Sequence, residues 1–223
     1  MTAYFAKSDI TCYVLRGRRG DLLIDTGLPQ TWRAMRRWLT QYNVRWVLLT
    51  HAHPDHDWNA AKLQRQGAKL ILSVHDRDLR QHFLAQPVHP TAPRYRLRNV
   101  MQCAGGAVVR SPHYEPDIWI GEQDSGLLRE LGFDAEIIPL PGHTLGSVGV
   151  LCGKTLICGD AFTMLWKRPD ITPHAHDIAQ MQDSLRRILA LAPERLCCGH
   201  GLPAAMREAR PVIAEYLRSC EKT

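Results

Sequence analysis

Within the six residues His51-Ala52-His53-Pro54-Asp55-His56 the chain carries three imidazoles and a carboxylate. Neutral imidazoles and carboxylates are the usual ligands of zinc and related divalent ions. In an extended chain successive side chains alternate, so His51 and His53 share one side. Pro54 disfavours helix at the residue before it, which predicts an open loop until a helix begins after Asp57. Asp55 and His56 can then face a second point nearby, and one loop offers ligands to two metals. A bare His-x-His is a weak signal, as its recurrence at His174-Ala175-His176 shows.

Such a loop needs a rigid support, and the flanking sequence supplies one. Residues 46–50 read as a buried strand that ends at His51. Before it, residues 12–15 and 21–25 form strand-like runs around Gly17 and Gly20, which predicts a hairpin. Thr31 is placed to cap a helix whose apolar side includes Trp32, Met35 and Leu39. After the loop, residues 58–66 have helical composition and Gly67 supplies the stop. Residues 69–74 follow as a strand, then a polar, helix-prone stretch over 76–84. In the second half, strands are expected at 135–140, 148–152, 155–158 and 195–198, with amphipathic helices at 177–191 and 206–217. Strands and helices alternate without a linker, so residues 1–223 are expected to be one α/β domain.

The segment 86–121 breaks that rhythm. Pro87, Pro90, Pro93, Pro112, Pro116 and Gly105-Gly106 interrupt it. Long irregular excursions in compact domains are usually functional, which predicts a flap or substrate loop here.

Composition narrows the function class. Hydrophobic residues are 45% and charged residues 22% of the 223, an ordinary globular balance. No apolar run is long enough for a transmembrane helix, and residues 1–9 have no signal-peptide core, so no membrane partner and a cytoplasmic location are expected. The seven cysteines form no C-x-x-C pair, which argues for buried thiols in a reducing compartment. A net charge of +6 accompanies arginines at 16–19, 33–37 and 94–98, yet no aromatic-interleaved basic stripe points to nucleic acid.

The motifs, taken together, resemble the metallo-β-lactamase superfamily. His51 to His56 matches its signature, and Asp25-Thr26-Gly27 looks like its early Asp-Thr-Gly turn. Pro141-Gly142-His143-Thr144 is similar to its third-histidine motif, Gly159-Asp160 to the Gly-Asp carrying a bridging carboxylate, and Gly199-His200-Gly201 to its last histidine. The resemblance implies a four-layer αββα sandwich with metals at one edge of the two sheets. It implies two divalent ions, zinc first with iron or manganese as alternatives. His51, His53 and His143 would hold the first, Asp55, His56 and His200 the second, and Asp160 would bridge both. Asp25 would orient ligands from behind. Two metals roughly 3.5–4 Å apart can share a hydroxide that attacks a carbonyl, and Asp55 could orient that nucleophile or shuttle its proton.

The resemblance reaches the substrate less far. β-Lactamases of this fold generally lack the bridging aspartate, so Asp160 argues for the branch of glyoxalase II-like thioesterases and lactonases acting on an ester, thioester or lactone of a small molecule. Only 23 residues follow His200, too few for the helical glutathione-binding domain of glyoxalase II. Trp166, Lys167 and Arg168, close after Asp160, are expected to wall the pocket, and Tyr114 on the excursion could reach substrate. Cys158 is read as a strand packing residue. Alternatives are a mononuclear-iron persulfide dioxygenase using His51, His143 and Asp160, a phosphodiesterase, and a non-catalytic binding protein of the same fold.

Overall fold

The computed structural model describes residues 2–7, 10–106, 109–164 and 168–221. In chain order β1 (Thr2–Lys7), β2 (Ile10–Leu15) and β3 (Asp21–Ile24) form an antiparallel run with β2 in the middle. The chain crosses through α1 (Trp32–Leu39) to β4 (Val44–Leu48), parallel to β3. It crosses again through α2 (Pro54–Asp57) and α3 (Ala60–Arg65) to β5 (Lys69–Ser73), parallel to β4. After β6 (His89–Pro90) and α4 (Arg96–Gly106), β7 (Ile118–Ile120) adds a parallel edge, completing a six-stranded sheet in the order β1-β2-β3-β4-β5-β7.

A short helix α5 (Leu127–Glu130) leads into the second sheet, where β8 (Glu136–Pro139), β9 (Val148–Cys152) and β10 (Thr155–Gly159) run antiparallel. The strand β11 (His174–Ala175) leaves this sheet to pair with β6. Then α6 (Ile178–Leu191) returns to β12 (Arg195–Cys198), parallel to β10, and β13 (Ala204–Ala205) and α7 (Met206–Cys220) close the fold. The order is β13-β12-β10-β9-β8.

Strand alternation explains the four layers, because neighbouring residues point to opposite faces. Leu22, Ile24, Leu48 and Ile71 meet Ile137, Val150, Ile157 and Cys197 between the sheets. Their neighbours Leu23, Val47, Leu70 and Leu72 face outward onto Met35 of α1 and Leu63 of α3. On the other side Leu156 and Leu196 face Met181 and Leu185 of α6 and Ile213 of α7. Both sheets therefore lack a polar face, which is why their strands read as near-continuous apolar runs. Each fully buried Leu or Ile stabilises the fold by about 1.5–3 kcal/mol relative to exposure. The expected αββα sandwich is the observed one. Among the described residues no helix is long and apolar enough to cross a membrane.

Several local expectations are corrected. Pro54 is the first residue of α2 rather than a wedge holding the loop open to Asp57: its fixed φ suits a helix start, and His53 before it is extended at ψ 147°. The Thr31 hydroxyl makes no cap and donates instead to the Leu28 carbonyl. The helix-prone stretch after β5 resolves into 3-10 turns at Val74–Asp76 and Phe83–Ala85. The excursion 86–121 is not structureless: it contains β6, the 11-residue α4 and β7. The prolines punctuate it without preventing order, Pro93 sitting at the start of the turn that leads into α4.

Candidate metal centre

The site lies where several strands end on one edge of the sandwich. Asp25 follows β3, His51 to His56 follow β4, Asp160 follows β10 and His200 follows β12, with His143 on the turn between β8 and β9. All seven residues expected as metal ligands are brought together, in three overlapping trios whose ligand atoms lie within 4.8 Å of one another: His51, His53 and His143; His51, His56 and Asp160; Asp55, His56 and His200. Asp160 lies between the groups. Its Oδ2 is 3.6 Å from Nε2 of His143 and 3.1 Å from Nε2 of His200, and its Oδ1 is 3.5 Å from Nε2 of His56.

Whether these residues suit divalent cations can be judged from their unused atoms. Nε2 of His51, His53 and His56 and Oδ1 of Asp160 are buried without a hydrogen-bond partner. Buried polar atoms are normally satisfied, and orphans clustered on one point are what ligands look like before a cation is counted. The donors, imidazole nitrogen and carboxylate oxygen, match zinc and non-haem iron. The residues fit.

The rings are held from behind. His56 Nδ1 donates to Asp25 Oδ2 at 2.9 Å, and His143 Nδ1 donates to the His174 carbonyl at 2.9 Å. The Thr50 hydroxyl donates to Asp25 at 2.9 Å and accepts from His51 Nδ1 at 3.1 Å. Each contact fixes a proton on Nδ1 and turns the Nε2 lone pair inward. Asp25 itself sits at φ 61°, a conformation uncommon for a residue with a Cβ, and is held there by the Leu48 carbonyl and the Thr50 amide. Asp25→Ala is expected to weaken metal affinity about 10- to 100-fold, read by competition with a chromogenic chelator. Unchanged affinity would reduce Asp25 to a turn residue.

Electrostatics divides the imidazoles. Burial, reinforced by neighbouring imidazoles, pushes His51 and His53 well below the ordinary histidine range and keeps them neutral. Burial also opposes charge on His56, but Asp160, Asp25 and Asp55 outweigh it and push the pKa up to about 9. Asp160 and Asp55 raise His200 against the same penalty. For Asp55 and Asp160 burial favours the neutral acid, yet the adjacent imidazoles hold both well below the usual carboxylate range. A cation must displace the protons on His56 and His200. Apparent zinc affinity should therefore strengthen as pH rises from neutrality toward about 9, where His56 gives up its proton, with protons released on binding. Calorimetry in buffers of different ionisation enthalpy checks this; a pH-independent affinity with no proton release contradicts it.

Two residues that sequence reasoning passed over organise the site. Asp76 is fully buried, and its carboxylate accepts from the Ala52 amide at 3.0 Å, the Thr144 hydroxyl at 2.9 Å, the Gly146 amide at 2.9 Å and the Gln86 side chain at 3.1 Å. It clasps the His51–His53 loop to the His143 loop. His174, half of the His-x-His set aside as uninformative, is buried with its ring centroid 5.5 Å from that of His143. Asp76 carries no local motif and the bare His174-Ala175-His176 is too weak a signal, so only the fold itself could single them out.

The residues expected to contact substrate are placed differently. Tyr114 is buried in the outer core with Leu63 and Leu70, and its hydroxyl donates to Asp57 at 2.7 Å, so it does not reach the cavity. Arg168 is exposed and absent from the cavity lining, while Trp166 and Lys167 lie outside the described residues. The cavity beside the ligands, about 70 Å³, is walled instead by Arg98 of α4 and by Thr163, Thr172, Pro173 and His174.

The comparisons with known proteins agree with this geometry. Residues 7–200 match the family model described as the metallo-beta-lactamase superfamily, whose members are mostly metal-dependent hydrolases. The chain is 31% identical over 109 residues to the hydroxyacylglutathione hydrolase GloC of Haemophilus influenzae, a match spanning 49% of this chain and only 44% of that protein. It is 26% identical to the uncharacterized protein YobT of Bacillus subtilis, covering 90% of this chain and 87% of that one. Among solved structures, a metallo-beta-lactamase family protein of Thermus thermophilus superposes with a TM-score of 0.68 at 18% identity, covering 99% of this chain and 79% of that one. TTHA1623, crystallised in a di-iron-bound form, superposes with a TM-score of 0.65 at 22% identity, covering 95% and 98%. With the family model spanning the motifs from Asp25 to His200 and the sandwich shared with these structures, the chain belongs to the metallo-β-lactamase superfamily.

Proposed function

We propose that the chain is a hydrolase that holds two divalent cations, zinc first with iron or manganese as alternatives, and cleaves an ester, thioester or lactone of a small molecule. The observation that carries this reading is the position of Asp160, within 3.1–3.6 Å of imidazoles from both ligand groups. Held by His51, His53 and His143 on one side and Asp55, His56 and His200 on the other, with Asp160 between them, divalent cations would supply Lewis acidity to a water and to a carbonyl.

The chain's own groups do the rest. Asp55, held as a carboxylate and partly open to the cavity, can accept a hydrogen bond from the attacking water and orient it. The ring contacts made by Asp25, Thr50 and the His174 carbonyl keep the imidazoles from turning as charge develops. Buried walls limit bulk water around the reacting atoms. The hydroxyacylglutathione hydrolases among its relatives, though matched over half their length or less, favour the thioester branch. Buried free thiols at Cys12, Cys158, Cys197 and Cys198 favour a cytoplasmic setting.

Metal analysis of the protein as purified, followed by a panel of esters, thioesters and lactones, tests the reading. Two ions per chain and turnover of a carbonyl substrate are expected. One iron per chain with oxygen consumption on glutathione persulfide would replace it with a dioxygenase, a reading that leaves the trio Asp55, His56 and His200 without a task. Turnover confined to phosphodiesters would also overturn it.

A further inference from the structure

The cavity beside the metal centre has a polar wall that the chemistry above does not use. Thr163 is 1% exposed and its hydroxyl has no hydrogen-bond partner; His174 is 7% exposed and its Nδ1 has none either. Both line the cavity, and the Arg98 guanidinium lines it from α4. Among the described residues Arg98 makes no ion pair, whereas its neighbour Arg94 is tied to Asp170 at 2.8 Å. Two orphaned buried polar atoms and an uncommitted cation on one small cavity are a site awaiting an anion with several acceptor atoms.

The wall is built rather than accidental. Asp170 exchanges two backbone hydrogen bonds with Thr163 and also accepts from Tyr95 at 2.5 Å, immediately before α4. β6 pairs with β11, and the Thr91 hydroxyl donates to the Thr172 carbonyl at 2.6 Å. The segment bearing Arg98 is thereby stitched to the segment bearing Thr163 and His174. The proposed ligands His53, Asp55, His143, Asp160 and His200 line the same cavity of about 70 Å³, so this wall faces the metal centre directly and leaves room only for a compact group.

We propose that Arg98, Thr163 and His174 form a carboxylate-binding subsite, and that the substrate is a compact acyl ester or thioester carrying a carboxylate a few bonds from the scissile carbonyl. The guanidinium takes the carboxylate in its planar fork, and the Thr163 hydroxyl donates to the same group. This deepens the hydrolase reading and rests on it.

The test compares the S-ethyl thioester of succinate with that of butyrate, which has a methyl where succinate has its carboxylate, on the metal-loaded full chain. Succinate itself serves as the equilibrium probe. The wild type should favour the succinyl thioester through KM. Arg98→Gln should raise that KM and the succinate dissociation constant about 10- to 100-fold, while changing neither metal content nor turnover of the butyryl thioester. Thr163→Val should raise the same KM about 3- to 10-fold. Equal KM for the two thioesters in the wild type, or an Arg98→Gln protein with unchanged KM and succinate binding, overturns the subsite. If the wild type hydrolyses neither thioester nor any ester or lactone of the panel but its succinate binding still depends on Arg98, the hydrolase reading fails and the subsite stands.

Discussion

Asp160→Ala should lower turnover about 100- to 1000-fold at saturating metal, since a single preorganised charge-stabilising group is commonly worth 10²–10³. Among the described residues the Asp160 carboxylate alone lies within 3.6 Å of all three of His56, His143 and His200, which come from both ligand groups. Two cations brought close without it would repel across a buried space where screening is weak. The variant should therefore retain at most one tightly held ion. Asp160→Asn keeps the shape and one acceptor oxygen but loses the charge, and should fail similarly. Metal analysis beside turnover decides, with the melting temperature of the metal-free variant confirming that it folds. Two retained ions with wild-type turnover would remove Asp160 from the centre.

The second large effect concerns stability. Asp76→Ala strips the acceptor from four donors at once, the Ala52 and Gly146 amides, the Thr144 hydroxyl and the Gln86 side chain. Hydrogen bonds to a charged group each contribute about 1.5–3 kcal/mol, and donors left buried and unpaired cost more. Non-additivity brings the expected loss to about 3–5 kcal/mol, which for a chain of this size lowers the melting temperature by roughly 10 °C. Asp76→Asn should recover only part, because its NH₂ replaces an oxygen that accepts from two of those donors. Urea midpoints with and without zinc check the result, and the loss should persist in metal-free protein. A variant as stable as the wild type would mean that solvent can take over this clasp.

How much of this could be read from residues follows from how local each signal is. The ligand loop was legible because its four donors lie within six positions, and His143, Asp160 and His200 because each stands in a short glycine-marked turn. The sandwich followed from apolar runs whose alternate residues fill two different cores. Asp76 was invisible because its partners lie 10, 24, 68 and 70 residues away. β1 was missed because Thr2-Ala3-Tyr4-Phe5-Ala6-Lys7 is a short edge strand whose order comes from pairing with β2 and from Phe5 packing on the outer core, with Tyr4, Ala6 and Lys7 exposed. Arg98 was seen only as part of a basic cluster. Its separation from Arg94, which is committed to Asp170, is a property of the helix start and not of composition.

The two-residue pairing of β6 with β11 has an evolutionary consequence. It joins the segment bearing Arg98 to the domain along a seam that belongs to neither large sheet. Thr163 and His174 belong to the ligand-bearing side, and Arg98 reaches the cavity from across that seam. An exchange of residues 87–106 would thus replace Arg98 and change what that side of the cavity accepts while leaving the metal ligands in place. Gln86, bonded to Asp76 and to the Leu145 amide, marks where such a graft must begin.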